Sequence, residues 1–107
     1  MNKILIEDDE EIIRQTFHEI LSKNNYLPLV SSNGIDAMEI FKRDRPGAVL
    51  LELVMPKMNG MEVMKELKKI DPDIPVIIIT ALGDISTAVE AIKLGAYDFI
   101  VKPADFH

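Results

Sequence analysis

Along the chain, short continuous apolar runs alternate with stretches whose apolar residues recur every three or four positions. Residues 3–6 (KILI) form the first run, the pattern of a strand buried on both faces. From Glu10 the spacing predicts a helix with Ile13, Phe17, Ile20 and Leu21 on one face, ended by Asn24-Asn25. Residues 26–30 (YLPLV) predict a second strand, and Pro28, lacking a ladder donor, puts it at a sheet edge. Ser32-Asn33-Gly34 opens a helix carrying Ala37, Ile40 and Phe41. Residues 48–53 (AVLLEL) predict a third strand, and Asn59-Gly60 opens a helix with Val63, Met64 and Leu67 facing inward. Residues 75–80 (PVIIIT) are the most hydrophobic run and are expected to be central. Asp84 caps a helix with Ile85, Ala88, Val89 and Ile92 in one stripe, and Gly95 ends it. Residues 97–101 (YDFIV) predict a fifth strand, followed by Lys102-Pro103.

Strands separated by single helices imply parallel βαβ units, and right-handed crossovers place helices on both faces of one doubly wound α/β sheet. In such sheets ligand chemistry gathers at the carboxyl ends of the strands.

Length and composition narrow the picture. A chain of 107 residues supports one domain spanning residues 1–107, and 48% hydrophobic content is enough for a core. The net charge of −6 argues against direct nucleic-acid binding by this domain. The absence of cysteine excludes a disulfide frame or thiolate zinc site and suits a cytoplasmic protein. The opening MNKILIEDDEE has no signal-peptide pattern, and no apolar run approaches the length of a membrane span.

The predicted strand ends collect an unusual set of side chains: Asp8-Asp9 with Glu7 before them, Glu52, Thr80 and Lys102. Clustered carboxylates repel one another and are costly to desolvate, and a hard divalent cation such as Mg²⁺ resolves both problems. A hydroxyl donor and a lysine suit a phosphoryl group. The set therefore reads as Mg²⁺-assisted phosphoryl chemistry on a carboxylate. Asp8-Asp9 taken alone would be an ordinary acidic first helical turn, and Phe99 taken alone a core aromatic.

Asp8-Asp9, LLELVMPKMNG at residues 50–60, IIIT ending in Thr80, and VKP at residues 101–103 together resemble the response-regulator receiver domains of two-component signalling. The stretch GDISTAVEAIKLGAYDFIVKP is most similar to receivers of nitrogen-regulation type. The resemblance implies a flavodoxin-like fold with strand order 2-1-3-4-5. It implies that Asp8, Asp9, Glu52 and the carbonyl of Val54 hold Mg²⁺. Thr80 would bond a phosphoryl group, Lys102 would pair with it, and Thr80 with Phe99 would form the switch. It further implies a sensor histidine kinase as partner, an output domain (ATPase plus DNA-binding) beyond this chain, and a signalling role, not an enzymatic one.

Three departures stand out. Glu52 occupies the position where the family has the phosphoacceptor aspartate, which makes it a candidate phosphomimetic. Glu7 stands where an apolar residue is expected, so the acidic pair is either Glu7-Asp8 or Asp8-Asp9; Ile13-Arg14, matching the family's first helix, favours Asp8-Asp9. The chain stops at PADFH, where the family runs a fifth helix, so that helix is expected to be largely absent and apolar sheet surface left to promote association. The fourth helix and fifth strand are either a homodimer face or ordinary packing. A competing function is a phosphorylation-independent pseudo-receiver serving as a dimerisation or interaction module. A phosphatase with its nucleophilic Asp at strand 1 would need an Asp-x-Asp pattern there, which residues 7–11 (EDDEE) lack in clean form, and no nucleotide-binding glycine motif exists.

Overall fold

The computed structural model describes residues 2–54, 58–81 and 83–102. Five strands and four helices alternate among them: β1 (Lys3–Glu7), α1 (Glu11–Lys23), β2 (Leu27–Ser31), α2 (Gly34–Asp44), β3 (Ala48–Leu51), α3 (Gly60–Ile70), β4 (Val76–Thr80), α4 (Ile85–Lys93) and β5 (Asp98–Val101). The strands form one parallel sheet in the order β2-β1-β3-β4-β5. Pro28 lies on β2, an edge strand, where a missing N–H costs the ladder nothing. β4 is interior, but the middle strand is β3. Residues 103–107, where a fifth helix would begin, lie outside the described residues.

Three of the four described helices, α2, α3 and α4, start at a side-chain cap, whereas Glu10 before α1 makes no such bond. Asn33 accepts the Asp36 N–H at 3.0 Å, Asn59 that of Glu62 at 3.0 Å, and Asp84 that of Thr87 at 2.6 Å. α1 ends at Asn24, Asn25 turns left-handed at φ 67°, and Gly95 does the same after α4 at φ 105°.

Ala37 and Phe41 of α2, Val63, Met64 and Leu67 of α3 and Ala91 of α4 pack with Leu5, Val49, Leu51, Val76 and Ile78 into the main core. Ile6, Ile13 and Ile79 are buried but stand outside that cluster.

Two expected faces are reversed in part. Ile20 of α1 is half exposed. The apolar stripe of α4 points outward, with Ile85 82% exposed and Val89 and Ile92 about half exposed, while Ala91 is fully buried. Elsewhere the differences are one or two residues at element ends: β1 runs on through Glu7, β2 through Ser31, and β3 stops at Leu51.

Candidate functional site

Backbone pairing continues just past each strand and lines up the site. The Asp8 N–H donates to the Ser31 carbonyl (3.2 Å), the Glu52 N–H to the Glu7 carbonyl (3.0 Å) and the Lys102 N–H to the Thr80 carbonyl (2.7 Å). Asp8, Glu52, Thr80 and Lys102 therefore stand at one edge of the sheet, the carboxyl ends of β1, β3, β4 and β5.

There Lys102 Nζ donates to Asp8 Oδ2 at 2.7 Å and to Glu52 Oε1 at 3.0 Å. All three side chains are buried, with 2%, 4% and 7% exposure for Lys102, Asp8 and Glu52. The second oxygens are also committed: Asp8 Oδ1 accepts the Glu10 N–H at 2.9 Å and Glu52 Oε2 the Leu53 N–H at 2.7 Å. Burial alone pulls the Lys102 ammonium down, but the hydrogen bonds and charges of Asp8 and Glu52 outweigh it and hold its pKa above the usual value. The ammonium thus stays charged between two carboxylates, and the trio carries a net negative charge.

Thr80 is fully buried at the end of β4. Phe99, opposite Ile78 on β5, is partly buried against the main core. Asp9 is exposed at the rim; desolvation and the charges of Asp8, Glu10 and Glu52 raise its pKa despite an opposing backbone hydrogen bond. Val54 is exposed on the loop two residues past Glu52. Glu7 belongs to β1, is 1% exposed, and neither carboxylate oxygen has a hydrogen-bond partner among the described residues. Desolvation, then the charge of Asp8, pushes its pKa up to about 8.

Asp8, Glu52 and Lys102 are thus in contact, with Thr80 joined to Lys102 through the backbone and Asp9 close enough to feel the other acids. Among the described residues no three acidic or histidine side chains converge as a ready metal cage. Lys102 occupies the space between Asp8 and Glu52. The donors are nonetheless all hard oxygens, and the acids outnumber the ammonium, with Asp9 held among like charges. That donor set fits a hard divalent cation such as Mg²⁺.

Two supporting residues go beyond the sequence reading. Gly60, read there only as a helix opener, lets α3 start directly against the site loop: its N–H donates to the Leu53 carbonyl at 2.9 Å. A Cβ there would strike the Glu52 carbonyl oxygen and lie 2.6 Å from Leu53 Cα. The signal was a glycine at the first helical position, where side-chain freedom alone gives no reason for one. Arg14, used in the sequence only to fix register, donates from Nη1 to the Asp8 carbonyl at 2.7 Å.

Residues 4–107 match the family described as response regulator receiver domain. The chain is 40% identical over 102 residues to the chemotaxis protein CheY of Thermotoga maritima, covering 94% of this chain and 85% of that protein. It is 41% identical over 103 residues to sporulation initiation phosphotransferase F of Bacillus subtilis, covering 96% and 83%. With the probable transcriptional regulator ycf27 of Guillardia theta it shares 41% identity over 101 residues, covering 94% of this chain but 39% of that protein. The chain therefore spans about two fifths of the length of that regulator. A receiver domain protein from Clostridium thermocellum has the same fold at TM-score 0.90 and 34% identity, over 99% of this chain and 86% of that one. CheY in a CheX–CheY–BeF3–Mg²⁺ complex from Borrelia burgdorferi matches at TM-score 0.91 and 28% identity, over 98% and 81%. The chain belongs to the response regulator receiver family.

Proposed function

We propose that this receiver works as a phosphorylation-type switch in which Glu52 stands at the acceptor position and partly imitates a phosphorylated aspartate. The observation that carries the reading is the buried Lys102 ammonium bonded to both Asp8 and Glu52 at the mouth of the sheet. Glutamate is one methylene longer than aspartate, and its carboxylate already meets the lysine that would pair with a phosphoryl group. The imitation is partial, since a carboxylate has less charge and fewer acceptor oxygens than a phosphoryl group. Asp8, Asp9, Glu52 and the Val54 carbonyl would hold Mg²⁺, which when bound supplies positive charge against phosphoryl oxygens. Thr80 is the hydroxyl donor to the phosphoryl group, and Phe99 with Thr80 carries the change towards α4 and β5.

In this reading the chain passes a signal and is not an enzyme. A sensor histidine kinase is the upstream partner. An output domain outside residues 1–107 controls transcription; the greater length of the ycf27 regulator supports it, and likeness to nitrogen-regulation receivers suggests an ATPase with a DNA-binding unit. The magnesium in the CheX–CheY complex supports the metal assignment. A cytoplasmic location goes with these partners, and the exposed Ile85, Val89 and Ile92 of α4 with Ile100 and Val101 of β5 support that face as the one for a homodimer. The test is Glu52→Asp with acetyl phosphate and Mg²⁺: the carboxylate attacks phosphorus, acetate leaves, and the protein gains one phosphoryl group. No gain in a folded variant counts against the reading.

One observation favours a second reading, a phosphorylation-independent interaction module. Lys102 already fills the space between Asp8 and Glu52, and no ready metal cage stands among the described residues. A thermal melt separates the two. Binding of Mg²⁺ to the native state raises Tm, and no shift at millimolar ion favours the module.

A further inference from the structure

We infer that Arg14 is a positioning residue for the acidic crevice, acting through Asp8. The inference rests on reading that crevice as a cation site, and it concerns a residue to which that reading gives no role.

Asp8 is tied to four different segments. Its N–H donates to Ser31 after β1 leaves the ladder, Oδ1 accepts from the Glu10 N–H, Oδ2 accepts from Lys102, and its carbonyl accepts from Arg14. The first and third bonds come from the sheet. The second closes a tight turn between β1 and α1. The fourth is different. Glu7 is the last residue of β1 in register with β2 and β3, so the Asp8 carbonyl lies beyond the ladder. Arg14 fills that role from α1 at 2.7 Å, a short charge-assisted bond. The Arg14 backbone N–H also donates to the Glu10 carbonyl at 3.2 Å. That backbone bond is the ordinary first-turn bond of α1, which any residue but proline would make, so what Arg14 adds is the side-chain bond that ties α1 to the Asp8 carbonyl. With the Asp8 carbonyl so held, Asp8 Oδ1 stays on the Glu10 N–H and Oδ2 stays towards Lys102 and the crevice. Groups that orient a metal's ligands commonly change affinity by ten- to a hundredfold.

Charge and position predict opposite signs, which makes the inference testable. Arg14 is a cation beside an acidic site. If only its charge mattered, Arg14→Ala would make the site more negative and tighten Mg²⁺ binding. If it positions Asp8, the same variant binds Mg²⁺ about tenfold more weakly. The experiment titrates the full 107-residue chain and Arg14→Ala with Mg²⁺ by calorimetry, and follows amide hydrogen exchange of Glu10 by NMR. Faster exchange is expected at Glu10 and none at Ala88, whose N–H bonds to Asp84 at the remote start of α4. Exchange that rises at both would mean general destabilisation and overturn the inference. So would equal or tighter Mg²⁺ binding, or unchanged Glu10 exchange. If the unmodified chain binds no Mg²⁺, the cation reading fails on its own, and Glu10 exchange alone then decides the role of Arg14. Should Arg14→Ala fail to fold, Arg14→Gln, neutral and longer, repeats both measurements with the same expected signs.

Discussion

Replacing Glu7 should stabilise the protein, and the gain should depend on pH in a defined way. Glu7 is 1% exposed on β1 and its carboxylate oxygens have no partner among the described residues. Desolvation, reinforced by Asp8, lifts its pKa from 4.5 to about 8. A folded-state pKa above the unfolded one means the native state holds the proton more tightly. The associated stability is therefore fully present below pH 4.5 and is lost as pH rises through about 8. At about 1.36 kcal/mol per pH unit, the loss is roughly 3 kcal/mol at pH 7 and about 5 kcal/mol above pH 8.5. Glu7→Gln keeps the shape but cannot ionise. Its stability relative to the unmodified chain should climb by roughly 4 kcal/mol between pH 4.5 and 8.5, whatever constant offset the amide introduces. Other titrating groups are common to both proteins and cancel in the difference. Glu7→Val should add apolar burial and raise Tm at pH 7 by on the order of 10 °C or more. The assay is urea denaturation of both chains across that pH range in chelator, so that no divalent ion enters the linkage. Stability curves that run parallel would refute the reasoning, because they would mean Glu7 titrates alike in the folded and unfolded states.

The remaining predictions concern the crevice and its supports. Lys102→Met leaves Asp8 and Glu52 buried without their cation; it should destabilise by about 3–5 kcal/mol, with millimolar Mg²⁺ restoring part of the loss in a thermal melt. Gly60→Ala forces a Cβ against the Glu52–Leu53 backbone and should cost roughly 1–3 kcal/mol in urea denaturation, with the largest NMR shifts at Leu53 and Glu52. Ile85→Ser should change stability by no more than about 0.5 kcal/mol, since that side chain is 82% exposed, and a larger loss would show that α4 buries its stripe after all.

Most of the architecture was legible because strand runs and helix caps are local signals. Asn33, Asn59 and Asp84 each bond the N–H three residues on, as their places before apolar periodic stretches implied. The convergence of Asp8, Glu52 and Lys102 was legible because parallel strands bring their carboxyl ends to one edge. Periodicity shows that a helix has an apolar stripe, not which side meets the sheet. On α4 the isoleucines and Val89 were the louder signal, but Ala91 is the side chain that is fully buried. On α1 the stripe does face inward, with Ile13 buried, and only Ile20 is left half exposed. The Asp8 carbonyl bond to Arg14 was out of reach because it joins a backbone atom to a side chain on another element, and no spacing encodes that. Glu7 was visible as an anomaly in an apolar run, but its lack of a partner among the described residues is a property of the packed core.

The central claim is that the crevice is a phosphoryl-accepting site whose acceptor position holds Glu52. Intact-protein mass spectrometry after incubation with acetyl phosphate tests it most directly, on the chain as it stands and on Glu52→Asp, each with Mg²⁺ and with chelator. Displacing a reacting atom by about 1 Å can cost on the order of a hundredfold in rate, so the unmodified chain should gain little or nothing. Glu52→Asp should gain one phosphoryl group, with Mg²⁺ only. A folded Glu52→Asp that stays at its starting mass, or an unmodified chain readily phosphorylated on Glu52, would contradict the account.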